Sequence, residues 1–238
     1  MKSSFITFCF LVICIIFSDP SMLTAQSSVN DISRDELRGM LGRNIVPTSR
    51  TVETVGSPYL YEEFSHGILT LDNDRETEPL MINFNAYQNR IEFLDGEDIL
   101  AVPGERVRNF TFTTGDKPIL FGKGFSARGL DESEFVQIMS EGEITFLKKH
   151  EVSFQENIAV YGTATQRDEY ISNERYYVVI DGEINRIRRL TERSITRIPD
   201  SFENEMEIFK REFQPDLSSA EGVALYFNHY NQLVDSKE

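Results

Sequence analysis

Three tripeptides constrain this chain more than any other feature: Asp95-Gly96-Glu97, Glu141-Gly142-Glu143 and Asp181-Gly182-Glu183. Each separates two runs rich in Phe, Tyr, Ile and Val. Glycine supplies the positive φ of a tight hairpin without steric cost, and aspartate tolerates it. Sequential hairpins imply antiparallel neighbours, because parallel strands need a long crossover, usually a helix. The tripeptides therefore read as punctuation between strands and not as a repeated acidic site.

Period-two patterning agrees with them from Glu53 to about Leu190. In 80–85 the residues Leu80, Ile82 and Phe84 alternate with Met81, Asn83 and Asn85, which predicts a half-buried strand. Strands are also expected over 64–71, 90–94, 106–113, 135–139, 144–154 and 175–180, all β-branched or aromatic in character. Tyr176 to Ile180 is apolar on both faces and belongs in the centre of a sheet. Over 191–238 the period changes to 3.6. Phe202, Met206, Phe209 and Phe213 form one stripe; Val223, Phe227, Tyr230 and Val234 form another. Asp200 or Ser201 is placed to cap the first helix, and Pro215 ends it. Ser218 and Glu221 have the spacing of a capping box for the second. Two such helices must bury their stripes on the sheet or on each other. The expected fold is mainly β: an antiparallel meander of roughly eight to ten strands, as a curved sheet, sandwich or partly closed barrel, with a C-terminal helical hairpin.

The start of the chain reads as an address. Lys2 precedes an uncharged, apolar run of 13 residues from Phe5 to Phe17, and Ala25 offers a small residue for cleavage. The run is shorter than the ~20 residues of a spanning helix. Leu11-Val12-Ile13-Cys14 fits a lipoprotein box poorly, since Ile13 is bulky before the cysteine. Residues 1–25 are thus expected to be a signal peptide and 26–52 a polar tether with one short helix capped at Ser33. An antiparallel β domain is expected over 53–190 and helices packed on it over 191–238. Cys9 and Cys14 both lie in the leader, so the exported remainder holds no thiol and uses no disulfide. About 213 residues are left, enough to bury roughly 70% of the unfolded surface without staples. The expected location is periplasmic, cell-surface or extracellular, with no transmembrane segment once the leader is gone. In a eukaryotic secretory route Asn109-Phe110-Thr111 would be a glycosylation acceptor.

Charge excludes some partners. With 24 Lys and Arg against 39 Asp and Glu the formal net charge is −15. A chain so acidic neutralises few phosphates, which argues against nucleic acid and against anionic lipid. The known constellations of chemistry are missing from the pattern. His66, His150 and His229 have no second His or Cys near them, so no zinc spacing exists and each reads as structural. There is no nucleophile elbow and no P-loop. Gly122-Lys123-Gly124 precedes no capped helix and reads as turn glycine at a strand end. Asp72, Asp74, Glu76 and Glu78 alternate like calcium ligands, but Thr77 stands where the turn glycine should be and Asn83 where the bidentate Glu should be. They read as a solvated connection. Catalytic, cofactor and metal residues are accordingly expected to be none. One basic concentration stands out: Arg186, Arg188, Arg189, Arg193 and Arg197. These arginines are expected to pair with Glu203, Glu205 and Glu207 of the next helix, or with other carboxylates, with an anion clamp as the sharper alternative.

Gly56-Ser57-Pro58-Tyr59-Leu60, Glu63-Phe64, Asn85-Ala86-Tyr87 and Ile91-Glu92-Phe93 form one set of motifs. Arg211 to Gln214, Ser218 to Glu221 and Tyr226 to Tyr230 form another. Together they resemble a group of uncharacterised exported β-rich proteins of the Bacteroidetes type. That group opens with G-x-P-Y-L, continues with a Tyr/Asn-rich strand pair and closes with two helices ending in Tyr-Tyr-Asn. Here the close is His229-Tyr230-Asn231, and Phe84 stands where Tyr is usual. The resemblance spans about residues 56–233. It implies secretion and the strand-then-helix layout, and brings no activity, cofactor or site residues.

Function is therefore expected to be that of a non-enzymatic binding or scaffold module of the cell envelope, with another envelope protein as partner. A small-ligand or lipid carrier would need an apolar cavity of a few hundred Å3, and a carboxylate-based hydrolase two carboxyls in one cleft. A scaffold needs a free sheet edge or an exposed apolar patch.

Overall fold

The computed structural model describes residues 31–41, 54–113, 118–159 and 166–237; the expected leader, most of the tether and Cys9 and Cys14 lie outside them. In chain order the elements are α1 (Arg34–Leu41), β1 (Thr54–Val55), β2 (Ser65–Leu71), β3 (Leu80–Asn85), β4 (Arg90–Asp95), β5 (Asp98–Val102), β6 (Val107–Phe112), β7 (Ile119–Gly122), β8 (Val136–Ser140), β9 (Thr145–Ala159), β10 (Gln166–Ile180), β11 (Glu183–Ile187), α2 (Glu192–Ile195), α3 (Glu203–Phe213) and α4 (Ala220–Asp235).

The protein is mainly β. Among the described residues eleven strands make one mixed sheet that does not close, in the order β1-β10-β9-β8-β7-β6-β2-β3-β4-β5, with β11 also on β10. Two pairings depart from an antiparallel succession. β1 runs parallel to β10, Thr54 beside Asp168, and β6 lies beside β2 rather than beside β5. The turns behave as their residues require. Asp181 and Gly182 both have positive φ, +51° and +77°, between Ile180 and its partner Glu183. Gly96, at φ +65°, connects Asp95 to Asp98. Strands β1, β5, β7 and β11 fall outside the ranges expected from the sequence.

Aromatic contacts show that the sheet bends. Between β3 and β7 lie three strand spacings, about 14 Å in a flat sheet. Yet the rings of Phe84 on β3 and Phe121 on β7 are 5.6 Å apart. Phe110 stacks on Phe121 at 4.7 Å and meets Phe112 and Phe135 edge-on. This concave face buries Leu69, Ile82, Ile91, Phe93 and Val102 as well. Ile32 and Leu37 join it, so the described part of the expected tether is docked: Ser33 Oγ accepts from Glu36 N at 3.3 Å, and Arg75 grips Glu36 at 2.8 and 3.2 Å.

A second core lies where β8–β11 meet the helices. Ile144, Phe146, Val178 and Ile187 pack with Met206, Phe209, Val223, Phe227 and Tyr230. Phe227 lies edge-on to Phe146 at 5.8 Å. The helix stripes are those the spacing predicts, apart from Phe213, which is 64% exposed and stacked on Phe209. The caps differ. α3 starts at Phe202 in the left-handed region without a side-chain cap, because Asp200 and Ser201 serve Tyr230, whose hydroxyl lies 2.9 Å from each. α4 is capped by Ser219, one residue after the expected Ser218, which donates instead to Asp216 at 2.6 Å.

Candidate functional site

The hairpin at Asp181-Gly182 places β11 along β10, with Arg186 opposite Tyr177 and Ile187 opposite Tyr176. Residues paired directly share a face of the sheet. Ile187 therefore points to the helical core, and Arg186 to the other side. The chain then turns into α2. Thr191 Oγ1 accepts from Ser194 N at 3.2 Å, while Ser194 Oγ reaches the carbonyl of Arg189 at 2.9 Å. Ile195, fully buried, pins this turn to the core. Arg188, Arg189, Arg193 and Arg197 are left facing solvent, and Arg186 is exposed with them.

The expected local pairing does not occur. Among the described residues none of the five arginines has a carboxylate within ion-pair distance. Lys210 takes both nearby candidates, Glu192 and Glu207, each at 2.8 Å. Glu203 and Glu205 on α3 stay exposed. The reason is energetic as well as geometric. An exposed pair contributes only about 0.2–1 kcal/mol, too little to redirect a turn fixed by Ile195 and the Thr191 cap. A protein with an excess of acids thus keeps, among the described residues, five cations in twelve positions without an ion-pair partner.

The other candidates from the sequence resolve differently. Asp72, Asp74, Glu76 and Glu78 lie on the connection from β2 to β3. Asp74 pairs with Arg108, Glu78 accepts from Arg34 N at 2.8 Å, and the Glu76 carbonyl accepts from Ile32 N at 2.7 Å. Among the described residues no three His, Cys, Asp or Glu side chains are grouped to hold a metal. His150 packs near Phe121 with Nε2 2.9 Å from Gln137 Oε1; burial, then the neighbouring Lys148, lower its pKa to about 4. His229 stacks on Phe209 at 4.1 Å, and His66 is exposed on β2. Gly122 ends β7, and Lys123 beside it donates to the Gly104 carbonyl at 2.7 Å.

The hollows differ in character. One of about 520 Å3 is lined by Asp131, Glu134, Lys149, Glu151 and Arg175 among others. Four of these charges are mutually paired: Lys149 with Glu134 at 2.6 Å and Arg175 with Glu151 at 2.7 Å. Hydrogen bonds from Ser133 hold the Asp131 carboxyl below the usual range, the opposite of a poised general acid. The apolar hollow beside α1, lined by Leu37, Met40, Leu41, Leu71 and Val102, holds only about 10 Å3.

One polar centre is not among the residues that the sequence pattern singles out. Glu92 on β4 is fully buried. It accepts from Tyr59 Oη at 2.6 Å, Arg90 Nε at 2.7 Å and Asn85 Nδ2 at 3.1 Å. Burial, then the bond to Glu92, push the Tyr59 hydroxyl far up its range. Asn83, also buried, donates to the carbonyls of Tyr61 and Glu63 at 2.9 and 3.4 Å. Strand β3 is therefore covered on both faces and not half-buried, because the segment before β2 lies across its outer face. At Gly56 a Cβ would sit 2.5 Å from the Tyr170 carbonyl, so only glycine lets that segment pass. The signal available in the sequence is the unusual presence of Asn83, Asn85 and Glu92 on strands. A carboxylate with three donors and no exposure is a brace, since no substrate reaches it.

No family model, curated protein or solved structure matches the chain. Among the described residues no helix is long and apolar enough to cross a membrane.

Proposed function

We propose that this chain is an exported, non-enzymatic binding or scaffold module of the cell envelope, and that it holds an acidic partner through the arginines of β11 and α2. The observation that carries the reading is their freedom: five exposed guanidiniums, none in an ion pair among the described residues, in a chain of net charge −15. Arginine presents a planar fork that matches carboxylates two bonds at a time. Among the described residues β11 pairs only with β10, and an open strand edge beside such a patch is a ready docking surface. The resemblance to exported Bacteroidetes-type proteins supports the location. Three of its motifs, at Gly56 to Leu60, Asn85 to Tyr87 and Ile91 to Phe93, meet around Glu92, as parts of one bracing network would. The finer layout of the reading is a meander curved over its phenylalanine interior with the terminal helices covering the other half.

The test is recovery of partners from native envelope, using the wild-type chain and an Arg189→Glu/Arg193→Glu/Arg197→Glu variant. The expected result is one stoichiometric acidic protein with the wild type, lost in the variant while the melting curve is unchanged. Equal recovery by both, or recovery of lipid in place of protein, overturns the reading.

A further inference from the structure

The acidic partner of the arginine surface has a candidate on the same molecule, an inference that rests on the function proposed for that surface. The sheet has two ends. Among the described residues β11 and the two-residue β1 both lie along β10 at one, and β5 pairs only with β4 at the other. Among the described residues neither β11 nor β5 has a neighbour on its outer side, so both present unpaired backbone N–H and C=O groups. Both are five residues long. Their charges are opposite. Arg186, Arg188 and Arg189 mark the β11 edge. Glu97 and Asp98 mark the β5 edge, both exposed and in no ion pair among the described residues. Asp95 of the same turn is already held by Arg38 at 2.7 Å.

We propose that the partner is a second copy of this chain, whose β5 edge adds antiparallel to β11 and carries the sheet from one molecule into the next. Charge selects the direction. The closing pairs Asp95–Asp98 and Ile180–Glu183 leave the N–H and C=O of Ile99 and Ala101 free on β5 and those of Ile184 and Arg186 free on β11; the antiparallel register that joins them sets Ile99 opposite Arg186, Glu97 opposite Arg188 and Ala101 opposite Ile184. Opposite charges and apolar pairs directly across a strand pair both stabilise it. A parallel approach brings the acidic end at Glu97 and Asp98 beside Glu183 instead. The two patches differ, so each added copy leaves one acidic and one basic edge free, and the contact propagates into open chains unless its rotation closes a ring. Two five-residue edges bury little surface, so the association is weak and reversible.

Salt gives the contact a signature. Each copy carries −15 and repels the next over a distance, while the arginine–carboxylate pairs act in contact. The screening length is about 30 Å at ~0.01 M, ~8 Å at ~0.15 M and ~3 Å at ~1 M. Assembly is therefore strongest at the middle value: the first leaves repulsion unscreened, and the last weakens the pairs.

Sedimentation velocity on the full chain as the cell processes it, over a concentration series at those three salts, tests this. The expected result is concentration-dependent association with that maximum. Arg188→Glu/Arg189→Glu, and separately Glu97→Arg/Asp98→Arg, each weaken it by about tenfold, or ~1.4 kcal/mol. Mixing the two variants restores it, because each then offers the edge the other needs. Melting curves check folding, and the variant on either edge suffices if the other misfolds. A single monomeric species at every salt and concentration overturns the proposal, as does association that both variants leave unchanged. If the chain is monomeric yet arginine-dependent recovery of another acidic protein persists, this partner is wrong and the function proposed for the surface stands; if both fail, both fall.

Discussion

The two halves of the sheet bury their apolar faces by different means. From β2 to β7 the strands bend until their own phenylalanines meet: Phe110 on Phe121, Phe84 on both, Phe135 across the end. From β8 to β11 the inward residues Ile144, Phe146, Val178 and Ile187 have no facing strands among the described residues. They are covered by α3 and α4. Both halves carry the same period-two pattern. A sheet that curls can serve as its own second layer, whereas the ribbon formed by β9 and β10, each 15 residues long, needs a layer brought from elsewhere in the chain.

That difference predicts how each half breaks. The largest loss is expected from Phe110→Ala, which removes the ring at the centre of the self-packed half. Denaturant titration should show a destabilisation of about 3–5 kcal/mol. Next comes Asn231→Ala, which cuts the tie between the helical layer and the sheet. Asn231 Oδ1 accepts from Ile144 N at 2.9 Å, and its Nδ2 donates to the carbonyls of Ile144 and Glu141 at 2.9 and 3.0 Å. Its loss leaves buried backbone groups unpaired, at about 2–3 kcal/mol. Hydrogen exchange should rise in α4 and over 141–144 while the amides of β3 and β6 stay protected. Equal deprotection of both halves would show that they unfold as one unit.

His150 sits at the seam, on β9 and against Phe121 of the first half. Its pKa is lowered from 6.5 to about 4 in the folded chain, by burial first and by Lys148 second. Between those values the unfolded chain binds the proton more readily. The contribution is therefore whole above pH 6.5 and disappears as pH falls towards 4, on the order of 1–3 kcal/mol. A pH series of thermal melts on wild type and His150→Gln checks it: the variant's slope across that window should be flatter. The smallest effect belongs to the arginine surface. Reversing Arg193 and Arg197 should move stability by less than about 0.5 kcal/mol, since both are exposed and neither is in an ion pair among the described residues. A larger loss would mean that these residues serve the fold.

Legibility follows range along the chain. The hairpins at Asp95-Gly96 and Asp181-Gly182 are readable because a left-handed residue is a local demand, and the stripes of α3 and α4 because they repeat within a turn or two. Gly142 is legible as a turn, yet half its reason is hidden. A Cβ there would lie 2.7 Å from Asn231, which is 89 residues away in sequence. Distance along the chain also hides the roles of Asn83, Asn85 and Glu92, which have the pattern of outward residues on half-covered strands. The arginines mislead in the other direction: proximity in sequence to Glu203, Glu205 and Glu207 suggests pairs that the placement of Lys210 and the pinned α2 turn do not allow.

By itself the amino-acid order determined where strands turn, where period two gives way to period 3.6, and that a strongly acidic chain carries one cluster of arginines. Backbone sterics and side-chain periodicity act within a few residues, so no partner is needed to read them. Only the tertiary structure decided that β2 pairs with β6, that β1 runs parallel to β10, that Glu92 is enclosed and that the arginines stand exposed. Those outcomes depend on which distant faces meet and which charges they consume, and many chain paths share the same local preferences.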